Sequence, residues 1–260
     1  MLNDSVKEMP IAAILLDIEG TTTPIDFVYT ILFPYARARS KDFINRHLAD
    51  EEVRLIIAGL FAEHAKDKST DLPPLCSSDN LDEKQIAAIA VYTHWLMDRD
   101  RKVTPLKTLQ GKIWEEGYRS GELKSQVFPD VPPNLRRWHE LGKIICVYSS
   151  GSILAQKLLF AHTEQGDLTG FISDFFDTNI GHKTEPGSYA RIAGRLKKPS
   201  EILFISDVVA ELDAAQAAGL QTLLCLRPGN RQQPDSFVHE TIYTFDEVMA
   251  HASPEFPTTQ

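Results

Sequence analysis

Four short apolar runs, Ile11–Leu16, Ile144–Tyr148, Ile202–Ile205 and Thr222–Leu226, stand out from an otherwise mixed chain, and a weaker fifth lies around Ile242–Tyr243. Runs this short and rich in Ile, Val and Leu suit strands buried on both faces, as in a parallel sheet. Between them apolar positions recur at helical spacing. Leu135, Trp138 and Leu141 form one stripe; Ile153, Leu154, Lys157 and Leu158 a second; and Tyr189, Ile192, Ala193 and Leu196 a third that opens with Pro186. Strand alternating with helix predicts an α/β fold with a doubly wound parallel-sheet core.

Residues 25–125 break that alternation, with helical signals and no convincing strand. Ile86, Ile89, Thr93 and Leu96 follow an Asn80…Glu83 capping box, and Leu106, Leu109 and Ile113 follow Thr104-Pro105. The polar stretch Lys66–Asn80 divides the region into two helical pairs. The predicted organisation is a core domain of residues 1–24 and 126–260, with a helical domain of residues 25–125 inserted after the first strand. Both chain ends, Met1–Met9 and Ser253–Gln260, read as frayed.

Composition narrows the possible functions. With 43% hydrophobic and 24% charged residues in 260 the chain is an ordinary globular one. The 27 Lys+Arg against 36 Asp+Glu leave a formal charge of −9, which offers no footprint for nucleic acid or an anionic membrane, so an anionic ligand must be held locally. The Ile11–Leu16 run falls far short of the ~20 residues of a membrane span. Met1–Pro10 lacks the features of a secretory leader, so a cytoplasmic location is expected. Cys76, Cys146 and Cys225 suggest no disulfide and no catalytic thiol. The eight histidines show no zinc-ligand spacing, and no Walker or dinucleotide loop occurs.

The candidate chemistry follows the strands. Asp17-Ile18-Glu19-Gly20-Thr21 succeeds the first run, Ser149-Ser150-Gly151-Ser152 the second, and Ser206-Asp207 closes the run at Ile202. Ligands of an open parallel sheet bind outside the carboxyl ends of its strands, so these residues converge on one edge, where Lys183 of Gly181-His182-Lys183 would join them. Two carboxylates about 4 Å apart repel by roughly 4 kcal/mol at an effective dielectric near 20. A divalent cation resolves the conflict, and hard oxygen donors without His or Cys favour Mg²⁺ over zinc.

Taken along the chain as Asp17–Thr21, Ser149-Ser150, Lys183 and Ser206-Asp207, those four segments resemble the motifs of the haloacid dehalogenase-like phosphatases. Glu19–Ile25, Leu32-Phe33-Pro34-Tyr35-Ala36, Tyr148–Ser152 and Gly181-His182-Lys183 are similar, more narrowly, to the enolase-phosphatase (acireductone synthase) family of methionine salvage. The resemblance implies a core of that superfamily with a helical cap. It implies Asp17 as the nucleophile that becomes an aspartyl-phosphate, Asp17, the Glu19 carbonyl and Asp207 as ligands of Mg²⁺, and Ser149, Ser150 and Lys183 as phosphate-binding groups. The amide of Ser150 is expected at a helix start. Glu211 would orient Asp207 or a metal-bound water, or else be an exposed helical carboxylate.

Typical superfamily phosphatases carry Asp where Glu19 stands, whereas the narrower family carries Glu, which implies a proton-transfer role for Glu19. The implied reaction converts 2,3-diketo-5-methylthiopentyl-1-phosphate to the acireductone 1,2-dihydroxy-3-keto-5-methylthiopentene and phosphate. The partner is thus a small phosphorylated diketone and the chain a monomer. Lys102 and Lys107 are candidate helpers in enolisation, and Phe27 a candidate pocket residue among aromatics otherwise expected in the core. Rival readings are a phosphatase acting on another small phosphate ester, a silent phospho-ligand binder, and a metal-free dehalogenase; Mg²⁺ dependence separates the last.

Overall fold

The computed structural model describes residues 11–75, 81–232 and 238–248. One six-stranded parallel sheet is built from β1 (Ala13–Leu16), β2 (Ile144–Tyr148), β3 (Asp174–Phe176), β4 (Ile202–Ser206), β5 (Gln221–Cys225) and β6 (Glu240–Ile242). The order is β3-β2-β1-β4-β5-β6, with all pairings parallel. The chain runs outward from β1 to one side and from β4 to the other. The switch point of the sheet therefore lies between β1 and β4, where the carboxyl ends open a crevice. In that pair Leu16 is level with Ile205, so Asp17 and Asp207 leave the sheet at neighbouring positions.

The five predicted strands are present, and β3 is an addition. Three residues long, at the sheet edge and opened by an exposed Asp174, β3 has too little apolar pattern to register in sequence.

Backbone contacts divide the chain into two compact units, Asp26–Lys124 and the described residues of Met1–Ile25 with Ser125–Gln260. The first is helical: a π-helical stretch Phe27–Leu32 runs into α1 (Phe33–Arg46), followed by α2 (Glu51–Lys66), α3 (Glu83–Asp98) and α4 (Thr104–Ser120). Ile86, Ile89, Thr93, Leu96, Leu106, Leu109 and Ile113 are buried, as their spacing predicts. The cap of α3 differs from expectation: the Asp82 side chain accepts from the Gln85 amide at 2.9 Å, and Asn80 lies outside the described residues. Asp82, closer to the first apolar position, takes the N-cap role in place of the Asn80 box.

The sheet unit carries α5 (Val131–Glu140), α6 (Ile153–Ala161), α7 (Pro186–Ala193) and α8 (Val209–Ala217). Ala13, Leu15, Cys146, Tyr148 and Phe204 share one sheet face and pack with Tyr189, Ile192, Leu212 and Ala215 of α7 and α8. Ile14, Leu16, Ile145, Val147 and Ile205, of opposite parity, are buried on the other face. Leu141 is the exception in its stripe, half exposed at the C-cap of α5. No helix among the described residues is long and apolar enough to cross a membrane.

Candidate active site

The turn after β1 fixes the first group. Asp17 donates its backbone N–H to the Ile205 carbonyl at 3.0 Å, and the amides of Thr21, Thr22 and Thr23 all converge on the Ile18 carbonyl. Gly20, at φ +75°, makes that reversal, and a Cβ there would lie 2.4 Å from Asp207 Oδ2. Only glycine lets the turn lie this close to the carboxylate. Asp17 is buried and Glu19 half-buried.

Lys183 reaches the same place from the loop before α7. Three successive carbonyls of that loop, of Gly181, His182 and Lys183, accept hydrogen bonds from the hydroxyls of Tyr148 (2.8 Å), Ser188 (2.8 Å) and Tyr189 (2.7 Å). The loop is thereby held rigid enough to present a buried ammonium. Its Nζ lies 2.5 Å from Asp17 Oδ1 and also pairs with Glu211 Oε2. Glu211 accepts in addition from Ser206 Oγ at 3.0 Å. It is a member of the buried ion-pair cluster, and the reading as an exposed helical carboxylate is set aside.

Ser149 is buried at the end of β2, where its Oγ accepts from the Gly151 amide at 3.1 Å. Helix α6 begins at Ile153 with Ser152 as N-cap, so Ser150 lies in the preceding turn rather than at the helix start. Gln156, which sequence reasoning missed, donates to the carbonyls of Gly151 (2.9 Å) and Phe176 (2.8 Å) and pins that turn from below.

The electrostatics are unbalanced. Asp17, Asp207 and Glu211 face one cation, Lys183. Burial pushes the Asp17 carboxyl well above the usual range, Lys183 opposes this, and Glu211 and Asp207 add to it. Burial likewise raises Asp207 to about 6, against the pull of Lys183 and with Glu211 and Glu19 adding to the rise. Lys183 is raised despite burial because Asp17 and Glu211 hold its proton. A buried excess of negative charge built from hard oxygens fits a magnesium-type cation. Among the described residues no group of three or more His, Cys, Asp or Glu side chains is placed to hold a metal ion by itself.

In the helical unit a cavity of about 230 Å³ is lined by Tyr29, Phe33, Met97, Leu106, Lys102 and Lys107, among others. Phe27 is buried in the core and does not line it.

Residues 11–219 match the family model of the haloacid dehalogenase-like hydrolases. The chain is 50% identical over 239 residues to enolase-phosphatase E1 of Synechococcus elongatus, covering 92% of this chain and 98% of that one. The chain belongs to the enolase-phosphatase E1 family. Another member, enolase-phosphatase E1 of Xenopus tropicalis, is 46% identical over 87% of this chain and 89% of its own. Among solved structures, the UTR4 protein of Saccharomyces cerevisiae superposes with a TM-score of 0.73 at 36% identity, covering 91% of this chain and 99% of that one.

Two further residues of this family member bear on the site and lie beyond the span matched by the hydrolase model. Arg227 donates from Nε to the Thr21 carbonyl at 3.2 Å, and Asn230 from Nδ2 to the Gly20 carbonyl at 2.9 Å. Both follow β5, and their sequence context, Leu226-Arg227-Pro228-Gly229-Asn230, reads as an ordinary polar turn. Only the fold shows that they grip the turn that carries Asp17 and Glu19.

Proposed function

We propose that this chain is a Mg²⁺-dependent enolase-phosphatase that converts 2,3-diketo-5-methylthiopentyl-1-phosphate to the acireductone and inorganic phosphate, in methionine salvage. The observation that carries the reading is the buried Asp17–Lys183 pair at the sheet's switch point, beside a second buried carboxylate, Asp207. Asp17 Oδ attacks phosphorus, the P–O bond to the substrate breaks, and the leaving oxygen takes a proton; water then cleaves the aspartyl-phosphate. Glu19, half-buried on the turn two residues on, is the group we assign to proton transfer in enolisation, in departure of the leaving oxygen, or in both.

Lys183 has three N–H donors. Two are engaged by Asp17 and Glu211, which leaves one for a phosphoryl oxygen. Ser149 and Ser150 are the other phosphate-binding groups in this reading. Asp17, Asp207 and the Glu19 carbonyl would hold the cation, which when bound offsets the negative charge of the phosphate. Substrate choice is assigned to the helical unit, as the cap. The working unit is one chain, since Asp17, Lys183, Asp207 and Glu211 all come from one unit of it. The compartment we infer is the cytoplasm, in keeping with the free buried thiols of Cys146 and Cys225.

The test follows phosphate release and enediol absorbance together on the diketo phosphate, with and without Mg²⁺, for wild type, Asp17→Asn and Glu19→Gln. The reading requires both products from wild type only with metal, no phosphate from Asp17→Asn, and a slowed half-reaction in Glu19→Gln. Phosphate release from simple esters with no enediol would leave a phosphatase of another small ester.

A further inference from the structure

Asn230 has one half of its amide engaged and the other half open. Its Nδ2 donates to the Gly20 carbonyl at 2.9 Å and to the Cys225 carbonyl at 3.2 Å, which ties the catalytic turn to the end of β5. Its Oδ1 is buried and has no hydrogen-bond partner among the described residues. Gly20 locates that oxygen: the point a Gly20 Cβ would occupy lies 2.4 Å from Asp207 Oδ2 and 3.0 Å from Asn230 Oδ1. The open acceptor and the Asp207 carboxylate therefore both lie against the same side of Gly20.

A buried acceptor without a donor is costly, and native folds rarely leave one so. A residue needed only to staple Gly20 to β5 uses the NH₂ group alone. An ionised carboxylate cannot satisfy Oδ1, because it only accepts. A ligand bound at the neighbouring Asp207 carboxylate is placed to bring the missing donor.

We propose that Asn230 is a positioning residue of the metal centre, its Oδ1 accepting a hydrogen bond from a water carried by the divalent cation. The inference rests on the reading of the site as Mg²⁺-dependent. Outer partners of this kind typically change metal affinity or activity by about 10–100-fold when removed. Asn230 makes no contact with reacting atoms in this role; it acts through the cation's water and through Gly20.

Mg²⁺ binding without substrate, followed by titration calorimetry on wild type, Asn230→Ala and Asn230→Asp, tests this, alongside the Tm of each metal-free protein. Asn230→Ala should bind Mg²⁺ about 10–100-fold more weakly. Asn230→Asp keeps an oxygen at this position but gives up the donor to Gly20, and should bind Mg²⁺ at least as tightly as wild type. Equal weakening in both variants, or unchanged affinity in Asn230→Ala with a lowered Tm, would make Asn230 a staple and overturn the inference. If Asn230→Ala does not fold, a loss of affinity in Asn230→Asp overturns it. A wild type that takes up no Mg²⁺ removes the functional reading and this inference together, whereas wild-type binding that Asn230→Ala matches removes only the inference.

Discussion

Lys183 Nζ lies 2.5 Å from Asp17 Oδ1, and both side chains are buried at the carboxyl edge of the sheet. The ammonium is what keeps Asp17 available as an anion, since burial, Glu211 and Asp207 all push its carboxyl upward. Without the ammonium, Asp17 takes up a proton rather than carry a bare buried charge. Lys183→Met is therefore expected to lose phosphatase activity by about 10²–10³-fold at neutral pH, as removal of one preorganised donor does elsewhere. Its remaining activity should climb with pH beyond the wild-type optimum. A pH–rate profile of unchanged shape would show that Lys183 binds phosphate without governing Asp17.

Asp207 gives a stability prediction with a definite sign. Its folded value of about 6 lies above the ordinary 3.8, so the folded state holds the proton more tightly than the unfolded one. Stability tied to this group is fullest at low pH and is lost as pH rises from about 3.8 through about 6. Asp207→Asn removes the charge and with it the loss. The metal-free variant should melt a few degrees above wild type at pH 8, at about 2–4 °C per kcal/mol, and level with it near pH 4. Calorimetry across that range checks it, and the same variant should fail to bind Mg²⁺. A Tm offset independent of pH would mean that the charge is compensated in the fold.

Arg227 is buried between the rings of Phe128 and Phe245, at 4.6 and 4.9 Å from their centroids. It forms a bidentate pair with Asp130 at 2.9 and 2.8 Å and donates to the carbonyls of Thr21 and Tyr243. Arg227→Met strands the Asp130 carboxylate and should cost about 3–5 kcal/mol in urea unfolding. Arg227→Lys should recover only part of this, because an ammonium cannot reproduce the fork. If Arg227→Met unfolds at the wild-type midpoint, the pair contributes no net stability. Because Arg227 also holds Thr21, the loss should appear in kcat as well as in stability.

The core of the site was legible because its chemistry sits directly after apolar runs. Asp17, Ser149 and Asp207 each follow a strand whose residues are buried on both faces, and a parallel sheet gathers such positions at one edge. Lys183 was legible only through its motif, since the hydroxyls of Tyr148, Ser188 and Tyr189 that set its loop are scattered over two elements. Glu211 was ambiguous because helical position alone does not tell a solvated carboxylate from one turned toward a buried ammonium. Gln156, Arg227 and Asn230 were missed for a common reason: each acts on backbone carbonyls far away in sequence, and a carbonyl leaves no residue-type signal.

The helical unit supplies a titration of the opposite sign to Asp207. His94 on α3 places Nε2 3.0 Å from the Arg37 carbonyl and 3.0 Å from Ser40 Oγ on α1. Burial holds His94 below its ordinary 6.5; the hydrogen bond to the Arg37 carbonyl opposes this, the Arg37 guanidinium reinforces it, and Asp98 opposes it. The unfolded chain thus takes up a proton before the folded one does. Stability associated with His94 is complete above pH 6.5 and is lost as pH falls toward the folded value. In His94→Gln, which offers an amide in place of the ring, the decline of Tm between pH 7 and pH 5 should be shallower than in wild type. Asp17 and Asp207 favour the folded state on acidification, so the two effects partly cancel in wild type and the difference between variant and wild type is the quantity to follow. An identical slope in both proteins would mean that His94 titrates alike folded and unfolded, and that the α1–α3 contact does not sense pH.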